Sequence, residues 1–63
     1  MVYQDSQAYR AEIVKAVLDD FDLQPVIVNK QDAAYQFGYY EIHVAPENVI
    51  RAIKIINEEI RFE

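Results

Sequence analysis

Between Gln7 and Phe21 the apolar residues Ile13, Val14, Val17, Leu18 and Phe21 recur at helical spacing, while Arg10, Glu12, Lys15, Asp19 and Asp20 fall mainly on the opposite side. The pattern predicts a one-sided, core-facing helix over 7–21. Val2-Tyr3-Gln4 before it has room only for a short strand, and Asp5 or Ser6 can accept hydrogen bonds from the first free amides of the helix. No glycine is present to end this helix, so Asp22, which tolerates the left-handed conformation better than most residues, is expected to do so.

Pro25 enforces an extended start to a second strand, expected over 24–30, and 39–44 form a third that pairs with it as a hairpin. The third strand alternates, with Tyr40, Ile42 and Val44 on one face and Tyr39, Glu41 and His43 on the other. Gly38 is the only glycine and is the residue expected to take a positive φ at the turn or at a bulge. Pro46 suits the first position of a second helix and Glu47 its positive dipole end. That helix is expected to run to about Ile60, burying Val49, Ile53, Ile56 and Ile60 with Ile50 beside them, and Ile55 lies off the stripe.

The element order is thus β-α-β-β-α. A right-handed crossover from the first strand to the second leaves room for the third between them, which predicts an α+β, ferredoxin-like two-layer sandwich lacking its fourth strand. The sheet is expected to be antiparallel in the order 1-3-2, with both helices on one face.

The second strand breaks the alternation. Pro25-Val26-Ile27-Val28 is apolar at consecutive positions, whereas a sheet covered on one face only should alternate. Both faces of this strand are therefore expected to be covered, one of them from outside the chain. The sheet face away from the helices, read as carrying Tyr3, Ile27, Tyr39, Glu41 and His43, is one candidate for self-association, and the free edge of the first strand is another.

Length strengthens this expectation. A chain of 63 residues makes a single domain, of a size that buries only about 60% of its unfolded surface. Without cysteine it lacks disulfides and thiolate metal sites, so oligomerisation is the remaining supplement to a small core. A homo-oligomer, with a dimer favoured, or a complex with another protein is expected. The net charge of −5, with scattered basic residues, argues against nucleic acid. Met1-Val2-Tyr3-Gln4-Asp5 has neither a basic start nor an apolar core, and no apolar run approaches the ~20 residues of a membrane span. The expected partners therefore include no membrane, and the expected location is cytoplasmic.

The chemistry on offer is thin. Asn29-Lys30-Gln31-Asp32, followed by Tyr35 and Phe37, is the densest polar and aromatic cluster, and on a loop it would frame a small-molecule ligand or a peptide. The plainer reading has Gln31 and Asp32 bonding the loop backbone while Tyr35 and Phe37 cap the core. Glu41 and His43 share a strand face two residues apart, but a metal site needs three or four ligands and the chain has no second histidine. Asp19, Asp20 and Asp22 read as a solvated helix end, and Ser6, the only serine, as a cap rather than a nucleophile. No catalytic residue, cofactor or metal is expected. The composition describes a non-catalytic interaction or regulatory module, with a small-ligand sensor built on the 29–37 loop as the alternative.

The stretch from Tyr9 to Asn57 resembles a family of small bacterial domains described as prokaryotic signal-transducing proteins. The likeness is carried by Ala11-Glu12-Ile13-Val14-Lys15 with Leu18, Val26 to Asp32, Tyr35-Gln36-Phe37-Gly38 and Val44-Ala45-Pro46-Glu47. Asp22 stands where that family commonly has a glycine. The resemblance implies a role in signalling and brings with it no ligand or catalytic residue.

Overall fold

The computed structural model describes residues 1–32 and 37–61. Its elements are β1 (Tyr3–Asp5), α1 (Ala8–Asp20), β2 (Val26–Asp32), β3 (Phe37–His43), a 3-10 turn over Pro46–Asn48 and α2 (Val49–Glu59). The three strands form one sheet in the order β1-β3-β2, and both outer strands run antiparallel to β3. The helices form the second layer of this open-sheet α+β fold, and the molecule is only 15 Å across its thinnest axis. With β3 central, β1 and β2 are both edge strands.

The end of α1 shows how local chemistry sets the chain's path. Leu23 N–H donates to the Leu18 carbonyl at 3.2 Å and Asp22 N–H to the Asp19 carbonyl at 2.9 Å. These are the paired bonds of a Schellman motif, and they satisfy two carbonyls that the helix leaves open. Asp22 holds the left-handed position, φ 62°, as its residue type predicts, and Gln24 holds a second at φ 52° that nothing in the pattern announces. The motif places Leu23 back against Leu18, and both are buried. Replacing Asp22 by glycine is expected to stabilise the domain by about 1 kcal/mol, since it removes the steric cost of the left-handed conformation and a negative charge from the helix C-terminus. A higher urea midpoint at unchanged slope checks this, and an unchanged or lower midpoint refutes it.

The core consists of Ala11, Val14 and Leu18 from α1, Leu23, Ile42 from β3, and Ala52 and Ile55 from α2. Val17 and Ile56 pack at its margin as expected, but Ile13 and Phe21 are exposed and Ala11 takes the inward position. On α2 the rotation differs more. Ile55, read as lying off the stripe, is buried with Ala52, while Ile53 and Ile50 face outward, Ile50 at 84% exposure.

The strands also depart from expectation. Both reach further into the hairpin, β2 to Asp32 and β3 back to Phe37, so Gln31 and Asp32 belong to a strand and not to a loop. Gly38 lies within β3 opposite Gln31 and does not take a positive φ. The connection at 33–36 falls outside the described residues.

Candidate functional site

Register decides which side chains share a surface. Tyr3, Ile42 and Ile27 lie in one row across the sheet. Residues directly opposite one another project to the same face, and Ile42 is fully buried in the core. Tyr3 and Ile27 therefore face the helices, where both pack against the core. This corrects their placement on the open face: a strand of three residues has too short an alternation to fix its phase, and the unbroken run around Ile27 has none.

The open face is built from the intervening rows. Gln4, Glu41 and Val28 form one, His43 and Val26 the next, and Tyr39 and Lys30 a third. Tyr39, Glu41 and His43 are thus on the expected surface, with Val26 and Val28 supplying its apolar part in place of Tyr3 and Ile27. Val26 is 57% exposed. His43 Nε2 lies 2.9 Å from Glu41 Oε1, a pairing that engages both groups in the middle of the face.

The same alternation divides the polar cluster. Asn29, opposite Tyr40, belongs to the helix-side row, whereas Lys30, opposite Tyr39, belongs to the open face. Both are exposed. Gln31, Asp32 and Phe37 continue the β2–β3 ladder, and Tyr35 lies outside the described residues. The segment from Asn29 to Asp32 is therefore strung along an edge strand.

A second polar group joins the first strand to α1. The Tyr3 hydroxyl donates to Asp5 Oδ2 at 2.6 Å, Gln7 N–H donates to Asp5 Oδ1 at 2.8 Å, and the Arg10 guanidinium lies 3.8 Å from Asp5 Oδ2. Arg10 also donates to the Tyr9 hydroxyl at 3.1 Å. Asp5 accepts the amide of Gln7, which itself occupies the cap position without a side-chain cap bond, so the expected capping of the helix by Asp5 or Ser6 is replaced by a turn closed just before it. Burial, then the bond to Asp5, pushes the Tyr3 hydroxyl up to about 12 from its ordinary 10. The same bond, followed by the Gln7 amide, holds the Asp5 carboxyl below its usual range. Sequence reasoning missed the group because Tyr3 and Asp5 meet only once β1 has formed and turned toward α1.

These shifts make the pair a joint whose stability depends on pH. The unfolded tyrosine ionises near 10 and the folded one near 12, so the contribution of Tyr3 is complete below pH 10 and is lost as pH rises between those values. Asp5, shifted the other way, contributes above the ordinary carboxylate range and loses that contribution as pH falls through its lowered pKa. Urea midpoints measured against pH should therefore fall less steeply at both ends in Tyr3→Phe than in the parent chain. Parallel curves would show that the bond carries no linkage.

Among the described residues no cavity opens, no three metal-ligating side chains converge, and no helix is long and apolar enough to cross a membrane. No family model, curated protein or solved structure matches the chain.

Proposed function

We propose that this domain is a non-catalytic interaction module that works by associating with a second copy of itself through its sheet. The observation that carries the reading is that edge strand β2 is apolar on both sides. Ile27 packs against the core while Val26 stands 57% exposed on the other face, with Val28 beside it. A strand that needed to satisfy only its own helices would place polar residues at those two positions.

Association is through the edge of the sheet and not its open face. Stacking two open faces loses Tyr3 and Ile27, and it would bury the paired Glu41 and His43, whose desolvation opposes contact. Pairing along an edge leaves those two groups wet. We further propose a regulatory setting, the one the likeness of residues 9–57 implies, in which association is the event controlled.

Sedimentation velocity on the intact chain, from low to tens of micromolar, tests the proposal. A reversible dimer is expected. A strict monomer across that range overturns it.

A further inference from the structure

Resting on the reading above, we infer that two copies join edge to edge along β2, antiparallel about a two-fold axis at Val28, to make one continuous six-stranded sheet. The backbone supplies the first argument. Val2 N–H donates to the Ile42 carbonyl at 2.9 Å, so Ile42 turns its polar backbone toward β1. Successive residues of a strand aim these groups to opposite sides, and Glu41 and His43 therefore aim theirs at β2. Their partners Val28 and Val26 answer them. Ile27 and Asn29 are left with amides and carbonyls directed at the outer edge, where among the described residues no strand pairs with them.

Only another strand satisfies such a row in full, and β2 is suited to meet itself. An axis at Val28 sets Ile27 of each copy against Asn29 of the other, so that residues whose backbone groups face outward meet at the centre of the joint. It brings the two Val28 side chains together as a non-hydrogen-bonded pair, the arrangement in which facing side chains approach most closely.

Charge selects the partner and the register. The chain carries 11 acidic residues and a net charge of −5, yet between Asp22 and Asp32 there is none. This edge is the stretch on which two acidic copies meet without carboxylates opposed. Lys30 is the one charge along it, and an axis at Val28 places each Lys30 beside Val26 of the other copy. Its aliphatic stem can cover that exposed valine while the ammonium stays in water. An axis one residue further along draws the two lysines toward each other. An axis one residue earlier sets Asn29 against Pro25, which has no amide to donate, whereas the axis at Val28 moves Pro25 out to the end of the ladder, opposite Gln31.

Because the chain has no cysteine, single-cysteine reporters read the geometry directly. Val28→Cys is expected to give a disulfide-linked dimer as the major species under mild oxidation, since opposed non-hydrogen-bonded positions lie within bridging reach. Gln4→Cys on the β1 edge and Ile50→Cys on the helix layer are expected to remain monomeric on a denaturing gel. Amide exchange on the parent chain separates edge pairing from face stacking. Ile27 and Asn29 amides should be protected at associating concentrations and lose that protection on dilution. A sedimenting dimer in which Val28→Cys stays unlinked, or in which those two amides exchange freely, overturns this arrangement and leaves self-association standing. A chain that is monomeric throughout overturns both.

Discussion

Replacing Ile42 with alanine is expected to destabilise the domain by about 2–5 kcal/mol, the range for deleting a large aliphatic side chain from a packed site. Ile42 is fully buried, stands on the central strand and occupies the row between Tyr3 and Ile27, so its loss opens a void beneath α1 that neither neighbouring strand can fill. A chain of 63 residues has a total stability of only about 3–9 kcal/mol, and the substitution therefore removes much or all of it. Urea unfolding followed by circular dichroism checks the figure, provided parent and variant are compared at one concentration, because association with a second copy raises apparent stability. A loss under about 1 kcal/mol would mean that the site collapses around the missing atoms, against the packing described.

The register that makes Ile42 central was only partly legible in the sequence. The third strand declares its faces because Glu41 and His43 alternate with Tyr40, Ile42 and Val44, and those faces are the ones observed. Element order, sheet order and the left-handed Asp22 follow equally well from crossover handedness and the missing glycine. The second strand declares nothing. In Pro25-Val26-Ile27-Val28 every position is apolar, so its phase comes only from pairing, which sets Ile27 opposite Ile42. That pairing depends on where the hairpin turns. Gly38, expected to take a positive φ at the turn or at a bulge, does neither and sits inside β3, so the residues from Asn29 to Asp32, which read as a loop cluster, form a strand. The candidate surface was recognisable as the sheet's unshielded side, but two of its five members belonged to the other side. The Tyr3, Asp5 and Arg10 group was not recognisable, because its members approach only across the junction of β1 and α1.

Small residues hid the rest. Ala11 and Ala52 are both fully buried, and neither draws notice in a search for large apolar side chains. An alanine at a helix contact permits close approach, and the helix rotates so that the alanine, with the large residues flanking it, faces inward.

The sharpest consequence falls on α2, where Ile55→Ala is expected to cost about 2–5 kcal/mol and Ile53→Ala less than about 1. Isoleucine occupies positions 50, 53, 55, 56 and 60, so two stripes fit the helical period equally well. One runs through Val49, Ile53, Ile56 and Ile60, the other through Val49, Ala52, Ile55 and Ile56. Ile53 and Ile55 stand about 160° apart around the axis at 3.6 residues per turn, and one helix cannot bury both against a single layer. The structure chooses Ile55, 7% exposed, and leaves Ile53 at 42%. Urea midpoints of the two variants at matched concentration separate the alternatives. A large loss at Ile53 with little at Ile55 would show that α2 is rotated the other way in solution. Equal large losses would mean that Ile53 is also covered, and that the second copy seats on the helix layer instead of the β2 edge.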